Sequence, residues 1–215
     1  MRVGWESVKA NAVPMVVLWA MAGTMVAAYY LVPGVERALK PIGAWQERTG
    51  WLAAFANCAF FCGILPYAVY LCKGRSGSHH PLFTAVLQSV FAGVCGAACN
   101  CFFGFQTAWF GAGHDVRALV LKTAVDQFVW TPFAVSPVVS FFNAALGRWV
   151  ERSRGEFSFA DFVRRDYLPN LMTGWCIWIP VILAVYAFPL VLQVQVLGFV
   201  SASWVIVCRE IGVRK

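Results

Sequence analysis

The sequence predicts an all-α membrane protein, a polytopic bundle of about six transmembrane helices with one short interfacial amphipathic helix. The first observation is composition: 60% of the 215 residues are hydrophobic and 13% are charged, against about 25% charged in a typical soluble domain. The second is the presence of several long uncharged runs, since about 18 apolar residues suffice to cross a bilayer. Both observations favour a single membrane domain over residues 1–215.

Five apolar runs define the expected spans. Three of them contain no Asp, Glu, Lys or Arg: 13–32, 51–72 and 81–113. A fourth run, 119–146, contains only Lys122 and Asp126. The last run, 171–208, also lacks charge, and its 38 residues would make a helix of about 57 Å, roughly twice the hydrocarbon thickness. It is expected to turn back near Pro189, which gives six spans, or five if the final pair is one re-entrant unit.

Basic residues indicate the orientation, because Lys and Arg collect on the cytoplasmic side of a membrane. With six spans, twelve Lys and Arg fall on the side of the two termini and five on the opposite side. We therefore expect both termini on the cytoplasmic, or matrix-equivalent, side. The net charge of +7 fits attraction to a bilayer with anionic head groups and requires no nucleic acid. The first apolar run is too long for a signal peptide, so a retained span is expected.

The cysteines allow two interpretations. Four of the eight form two pairs at i, i+4 spacing on the second and third spans: Cys58, Cys62, Cys95 and Cys99. A four-thiolate metal site between these helices is conceivable, but cysteine also serves as a small packing residue and no CxxC motif occurs. Packing is favoured. No Gly-rich phosphate loop, HExxH or GxSxG motif is present, so we expect no enzyme and no cofactor.

The third span carries polar residues along one face. One stripe lies within about 20° of a line on an α-helix: Gln88, Cys95, Cys99 and Gln106. A neighbouring face is rich in small residues: Gly93, Gly96, Asn100 and Gly104. Small residues let another helix approach closely. The amides either form hydrogen bonds between packed helices or line an aqueous path, and packing is favoured.

The fourth span places charges inside the membrane. On a straight helix one face would hold, within about 40°, Lys122, Asp126, Val129, Phe133, Ser136 and Ser140. Pro132 and Pro137 each remove a backbone donor, so the phase beyond Pro132 is open and free carbonyls are expected. Lys122 and Asp126 can pair at i, i+4. Two interpretations remain: a cavity-lining ion pair, or a Lys122 that reaches the surface and a structurally buried Asp126.

An amphipathic helix is expected between the fourth and fifth spans. Ser158 and Asp161 have capping-box spacing, and apolar residues then recur opposite Arg164 and Arg165. Such a helix lies in the membrane interface. It leads into the fifth span, where Pro180 is an expected kink.

Three segments, KTAVDQFVWTPF, RRDYLPNLMTGWCIWIP and FPLVLQVQVLGFVSASW, resemble the Mpv-seventeen / peroxisomal membrane protein of twenty-two kilodaltons family. The matching positions are, in order, Lys122, Asp126, Gln127, Pro132, Asp166, Tyr167, Trp178, Pro189, Leu190 and Trp204. The resemblance covers residues 119–208, whereas residues 1–118 show little match. This chain departs from the family where the last spans carry Ile182, Val185, Tyr186 and Gln193.

The resemblance implies a channel-like protein of the mitochondrial inner or peroxisomal membrane, and a bacterial cytoplasmic membrane would suit the chain equally. The first functional hypothesis is a pore for small solutes or ions. Its candidate lining residues are Lys122, Asp126, Gln127, Gln88, Asn100, Gln106, Ser136 and Ser140. The alternative is a non-conducting scaffold or assembly protein whose polar groups join helices. A homo-oligomer is compatible with either hypothesis.

Overall fold

The computed structural model describes residues 12–72, 81–111, 116–151, 158–185 and 190–213, and all regular structure within them is helical. These residues form the helices α1 (Ala12–Leu31), α2 (Val35–Thr49), α3 (Trp51–Cys72), α4 (Pro81–Phe110), α5 (116–151), α6 (159–185) and α7 (Leu190–Val213). The predicted all-α class is therefore confirmed for the described part of the chain.

Four helices in the described residues are long and apolar enough to cross a membrane: α1, α3, α4 and the Val116–Leu146 stretch of α5. They coincide with the first four predicted spans, and they fit a protein embedded in a membrane. The run 171–208 is divided between Leu168–Val185 of α6 and α7. The turn expected at Pro189 lies outside the described residues.

Three of the helices contain π-helical segments, in which each N–H donates to the carbonyl five residues back. They are Phe60–Ile64 in α3, Asp126–Val135 in α5 and Val163–Tyr167 in α6. In α5 the π segment lies between Val116–Val125 and Ser136–Glu151. Its wider turn changes which residues share a face.

The predicted face of α5 is wrong for Val129, which was expected beside Asp126 but is 55% exposed. Phe133 follows Pro132, where the phase was open, and is 80% exposed. Asp126, Ser136 and Ser140 are buried. The prediction assumed about 3.6 residues per turn, whereas the ten-residue π segment has more residues per turn and rotates the intervening side chains outward.

The last helix packs at the centre of the bundle. Leu192, Ala202 and Ile206 of α7 have no exposed surface. Leu18 of α1 packs with Ala202 and Ile206 in one apolar cluster. Tyr70 of α3 donates its hydroxyl to the Ile206 carbonyl oxygen at 3.0 Å. The half-buried amide of Asn57 in α3 makes a similar link to α7, since its Nδ2 donates to Val194 O at 3.3 Å.

Helices α3 and α4 approach closely where α4 presents glycine. A Cβ added at Gly93 would lie 2.6 Å from the Phe55 ring, and one at Gly96 would lie 2.5 Å from Cys58 Sγ. A side chain at either position would therefore require the facing residues of α3 to shift, and the small residues let the helices approach as their spacing predicts. Gly104 behaves differently, because a Cβ there would meet nothing within 4 Å.

The predicted amphipathic helix begins as expected but is not a separate element. Ser158 Oγ accepts a hydrogen bond from the Asp161 N–H at 3.4 Å, which caps Phe159–Phe162. The helix then continues through Val163–Tyr167 into Leu168–Val185. Pro180 lies inside this last segment. The stretch between Gly34 and Gly50 is helical too, as α2.

Candidate functional site

Four side chains of α5 make up a buried polar group that we call the Asp126 cluster: Thr123, Asp126, Gln127 and Trp130. The first three are buried, and Trp130 is half-buried. Their spacings of three and four residues place them on adjoining turns of one helix. Helices α4 and α6 pack over this side of α5, so the cluster lies between helices.

Asp126 has a neutral partner. Its Oδ2 accepts a hydrogen bond from Gln127 Nε2 at 3.0 Å, and its side chain is 5% exposed. In the described part of the chain Asp126 and Lys122 do not form an ion pair. Their i, i+4 spacing favours pairing only on an α-helix, and the π segment begins at Asp126. The carboxyl group is thus buried without Lys122 as a partner, which is one of the two arrangements that the sequence left open.

Three polar atoms of the cluster are buried without a hydrogen-bond partner among the described residues: Thr123 Oγ1, Gln127 Oε1 and Trp130 Nε1. The Cys99 thiol of α4 lies beside the Trp130 indole and within electrostatic range of Asp126. Phe102 of α4 stacks on Trp130 with ring centroids 4.4 Å apart. Each buried polar group without a partner costs about 1–3 kcal/mol. The cluster is therefore the part of α5 best suited to meet a polar ligand or water.

Gln106 of α4 contacts α5 at Lys122, next to the Asp126 cluster. It is 1% exposed, and its Nε2 donates to the backbone oxygen of Lys122 at 2.9 Å. The structure therefore brings together Gln106, Lys122, Asp126 and Gln127 among the predicted residues. The Lys122 side chain is itself only half-buried.

Two other predicted residues of α4 lie elsewhere. Gln88 is 18 residues from Gln106, or about 27 Å along the helix. Asn100 is exposed, and its Oδ1 lies 3.9 Å from the position of a Cβ at Gly50. Gln88 and Gln106 therefore share one face of α4 but stand at different depths, and Asn100 lies on the neighbouring face.

The prolines of α5 free two carbonyl groups, and aromatic side chains of α6 bind both. Pro132 has no N–H, so the carbonyl five residues back, that of Gln127, loses its donor in the π pattern. Trp175 Nε1 donates to this oxygen at 2.8 Å. Pro137 stands five residues after Pro132, so in the same π pattern the Pro132 carbonyl also lacks a backbone donor. Tyr167 Oη donates to this oxygen at 2.9 Å. The expected free carbonyls are thus bound to α6.

Ser136 and Ser140 are buried on the next turns of α5. Asn170 of α6 donates its Nδ2 to Ser140 Oγ at 3.0 Å. This makes a third hydrogen bond between α5 and α6, so Ser140 serves as a contact between helices.

Sequence reasoning missed Thr123, Trp130, Tyr167, Asn170 and Trp175 as members of this polar region. A usable signal was the five-residue spacing of Pro132 and Pro137, because it matches the hydrogen-bond period of a π-helix. The spacing leaves two carbonyls that need donors from another helix. Trp and Tyr of the fifth span are side chains with such donors.

The cysteines of the second and third spans do gather between α3 and α4. Cys58, Cys62, Cys95 and Cys99 lie within electrostatic range of one another. Within the described ranges, no group of three or more His, Cys, Asp or Glu side chains is arranged to hold a metal ion. The contact of Cys58 with Gly96 supports the packing interpretation.

An apolar groove of about 490 Å³ lies away from the Asp126 cluster. Its lining includes Phe91, Phe141, Phe142 and Phe162. The ring centroids of Phe91 and Phe142 are 3.7 Å apart in a stacked arrangement. Phe91 is 15 residues from Gln106, or about 22 Å along α4. None of the predicted polar residues lines this groove.

Comparison with known proteins gives one informative similarity. The chain is 31% identical over 112 residues to the uncharacterized protein C4G9.14 of Schizosaccharomyces pombe, a match that covers 48% of each chain. The chain thus spans about half the length of this relative. No family model matches the sequence, and no solved structure matches the fold. The described residues thus define a helical protein, four of whose helices are long and apolar enough to cross a membrane.

Proposed function

We propose that this chain forms a pathway for small solutes or ions across a membrane and that the Asp126 cluster is the polar point along it. The observation that carries the proposal is the buried Asp126 carboxyl group, whose hydrogen-bond partner is the neutral amide of Gln127. Ionisable groups inside a membrane are costly, and they generally face the bundle interior or a water-filled cavity. A transported polar species or water would reduce that cost.

The three unpartnered atoms support the same proposal. A group that served only to join helices would be expected to have its hydrogen bonds satisfied within the bundle. Thr123 Oγ1, Gln127 Oε1 and Trp130 Nε1 instead lack partners within the described residues. They offer both a donor and acceptors, which matches the hydrogen-bonding needs of water and of small polar solutes.

The proposal includes a six-span topology with both termini on the cytoplasmic or matrix-equivalent side. Leu168–Val185 has 18 residues, or about 27 Å of helix, enough to span the hydrocarbon core. Leu190–Val213 is longer, with 24 residues. Membership of the Mpv-seventeen family and an organellar membrane belong to the proposal as well, on the strength of the motifs around Lys122, Asp166 and Pro189.

A second candidate function is a non-conducting scaffold. It is favoured by the hydrogen bonds that α6 makes to α5 from Tyr167, Asn170 and Trp175. These bonds occupy the backbone carbonyls of Gln127 and Pro132 and the hydroxyl of Ser140. They leave the Asp126 cluster itself unexplained, because Asp126 and Thr123 take no part in them.

Solute efflux from proteoliposomes tests the proposal. Wild-type protein is expected to release small polar solutes from loaded vesicles, and Gln127→Leu is expected to slow the release by removing two polar atoms from the cluster. Ser140→Ala is the matched control, since it removes a buried polar group from the α5–α6 contact only. Release no faster than from protein-free vesicles, with folded protein present, would favour the scaffold.

A further inference from the structure

The Asp126 cluster presents oxygen atoms on neighbouring positions of one helix. Gln127 Nε2 is bonded to Asp126 Oδ2 at 3.0 Å, and the Oε1 of the same amide shares a carbon atom with Nε2. The unpartnered Oε1 therefore lies in the immediate neighbourhood of the carboxylate. Thr123 stands about one turn earlier in α5 and is buried, as Asp126 and Gln127 are. Its Oγ1 is also buried and without a partner in the described part of the chain.

We infer that the oxygens of Thr123, Asp126 and Gln127 bind a monovalent cation such as Na⁺ or K⁺. This inference rests on the proposed pathway and names the class of its solute. Oxygen atoms are the ligands that hard cations prefer. A single positive charge would balance the buried carboxylate, which Lys122 does not pair with among the described residues.

Charge and ligand number favour a monovalent over a divalent ion. Ca²⁺ takes six to eight oxygen ligands, usually including several carboxylates, and Mg²⁺ gives up its water reluctantly. This site offers one carboxylate and two neutral oxygens, Thr123 Oγ1 and Gln127 Oε1. A divalent ion would keep an uncompensated charge inside the bundle, which is costly.

The other groups around the site are compatible with a cation. The Cys99 thiol lies within electrostatic range of Asp126 and brings no positive charge. Trp130 Nε1 is a donor only, so it is not a ligand.

Thermal unfolding of the full chain in detergent micelles tests the inference. The salts compared are NaCl, KCl and N-methyl-D-glucamine chloride at equal ionic strength, the last being too large for the site. The small cations are expected to raise Tm by about 3–6 °C at ten times their Kd. Asp126→Asn should abolish this shift, whereas Asp161→Asn, which removes an exposed carboxylate outside the bundle, should retain it.

A second variant separates binding from folding. Thr123→Val keeps the shape of the side chain and removes the unpartnered hydroxyl. In N-methyl-D-glucamine chloride its Tm should equal or exceed that of the wild type, while the shift caused by Na⁺ or K⁺ should shrink by at least half. The cation site is refuted if Asp126→Asn and Thr123→Val each change Tm by the same amount in all three salts. It is also refuted if the organic cation stabilises the wild type as much as Na⁺ does.

The same measurements keep this inference distinct from the proposed function. Solute efflux without any cation-specific Tm shift would reject the cation site and leave the pathway standing. A cation-specific shift that depends on Asp126, in protein that releases no solute, would support the site and reject the pathway.

Discussion

The indole Nε1 of Trp175 donates a 2.8 Å hydrogen bond to the backbone carbonyl oxygen of Gln127, the carbonyl from which Pro132 withholds its π-helical donor. The bond joins residues 48 positions apart in sequence. It lets α5 carry the buried Pro132 inside the π segment without leaving the Gln127 carbonyl unbonded. The Asp126 cluster is held next to this point.

Replacing Trp175 by Phe should destabilise the protein by about 1–2 kcal/mol, because the smaller Phe keeps an aromatic ring but cannot donate to the Gln127 carbonyl. Thermal unfolding in micelles measures the change. Trp109→Phe is the control, since Trp109 is 69% exposed and should change the free energy of unfolding by less than about 0.5 kcal/mol. Equal effects of the two substitutions would contradict the assigned hydrogen bond.

Tyr167 and Pro137 should be energetically coupled. Tyr167→Phe removes the hydroxyl that donates to Pro132 O at 2.9 Å, with an expected cost of about 1 kcal/mol. In a Pro137→Ala background, residue 137 regains an N–H that can reach the same carbonyl in the π pattern. The cost of Tyr167→Phe should therefore fall by at least about 0.5 kcal/mol in a double-mutant cycle. Strict additivity would rule out the shared carbonyl.

Replacement of Gln106 or Gln88 of α4 by leucine should change the stability of the protein to different extents. Gln106→Leu removes a fully buried donor from Lys122 O and should cost about 1–2 kcal/mol. Gln88→Leu, on the same helix but half-buried, should change stability by less than about 0.5 kcal/mol. Denaturation in mixed micelles compares the two. A loss of stability at Gln88 as large as that at Gln106 would contradict this difference between the two amides.

Glycine substitutions in α4 should depend on the facing helix. Gly96→Ala would place a Cβ 2.5 Å from Cys58 Sγ and 2.7 Å from Ala54 O, and it should cost about 1–3 kcal/mol through overpacking. Gly104→Ala meets nothing within 4 Å and should be neutral or slightly stabilising, because Ala favours a helix over Gly by about 1 kcal/mol. Similar losses at both positions would contradict the packing of α3 on α4.

Features that depend on a few neighbouring residues, namely the long apolar helices, one close helix contact and one helix cap, were predicted from the sequence. Uncharged runs located α1, α3 and α4, and the spacing of Gly93 and Gly96 located the close contact. The cap at Ser158 also followed from its pairing with Asp161. In each case the information lies within a few residues or in one helical period.

The candidate site was only partly predictable, because its geometry depends on a change of helical period and on distant partners. A uniform α-helix places Val129 with Asp126, and it allows Lys122 either to pair with Asp126 or to reach the surface. The π segment Asp126–Val135 turns Val129 outward, and the buried Asp126 has Gln127 as its hydrogen-bond partner. The donors from Tyr167 and Trp175 come from 35 and 48 residues away, and no local pattern near Pro132 identifies them.

The reversal potential under a KCl gradient across a planar bilayer tests the central claim, that the Asp126 carboxyl group lies on a solute pathway, most directly. Wild-type protein should conduct with a preference for K⁺ over Cl⁻, and Asp126→Asn should move the reversal potential toward zero. Asp161→Asn should keep the wild-type value. An unchanged reversal potential in Asp126→Asn, or no conductance from folded wild-type protein, would contradict the account.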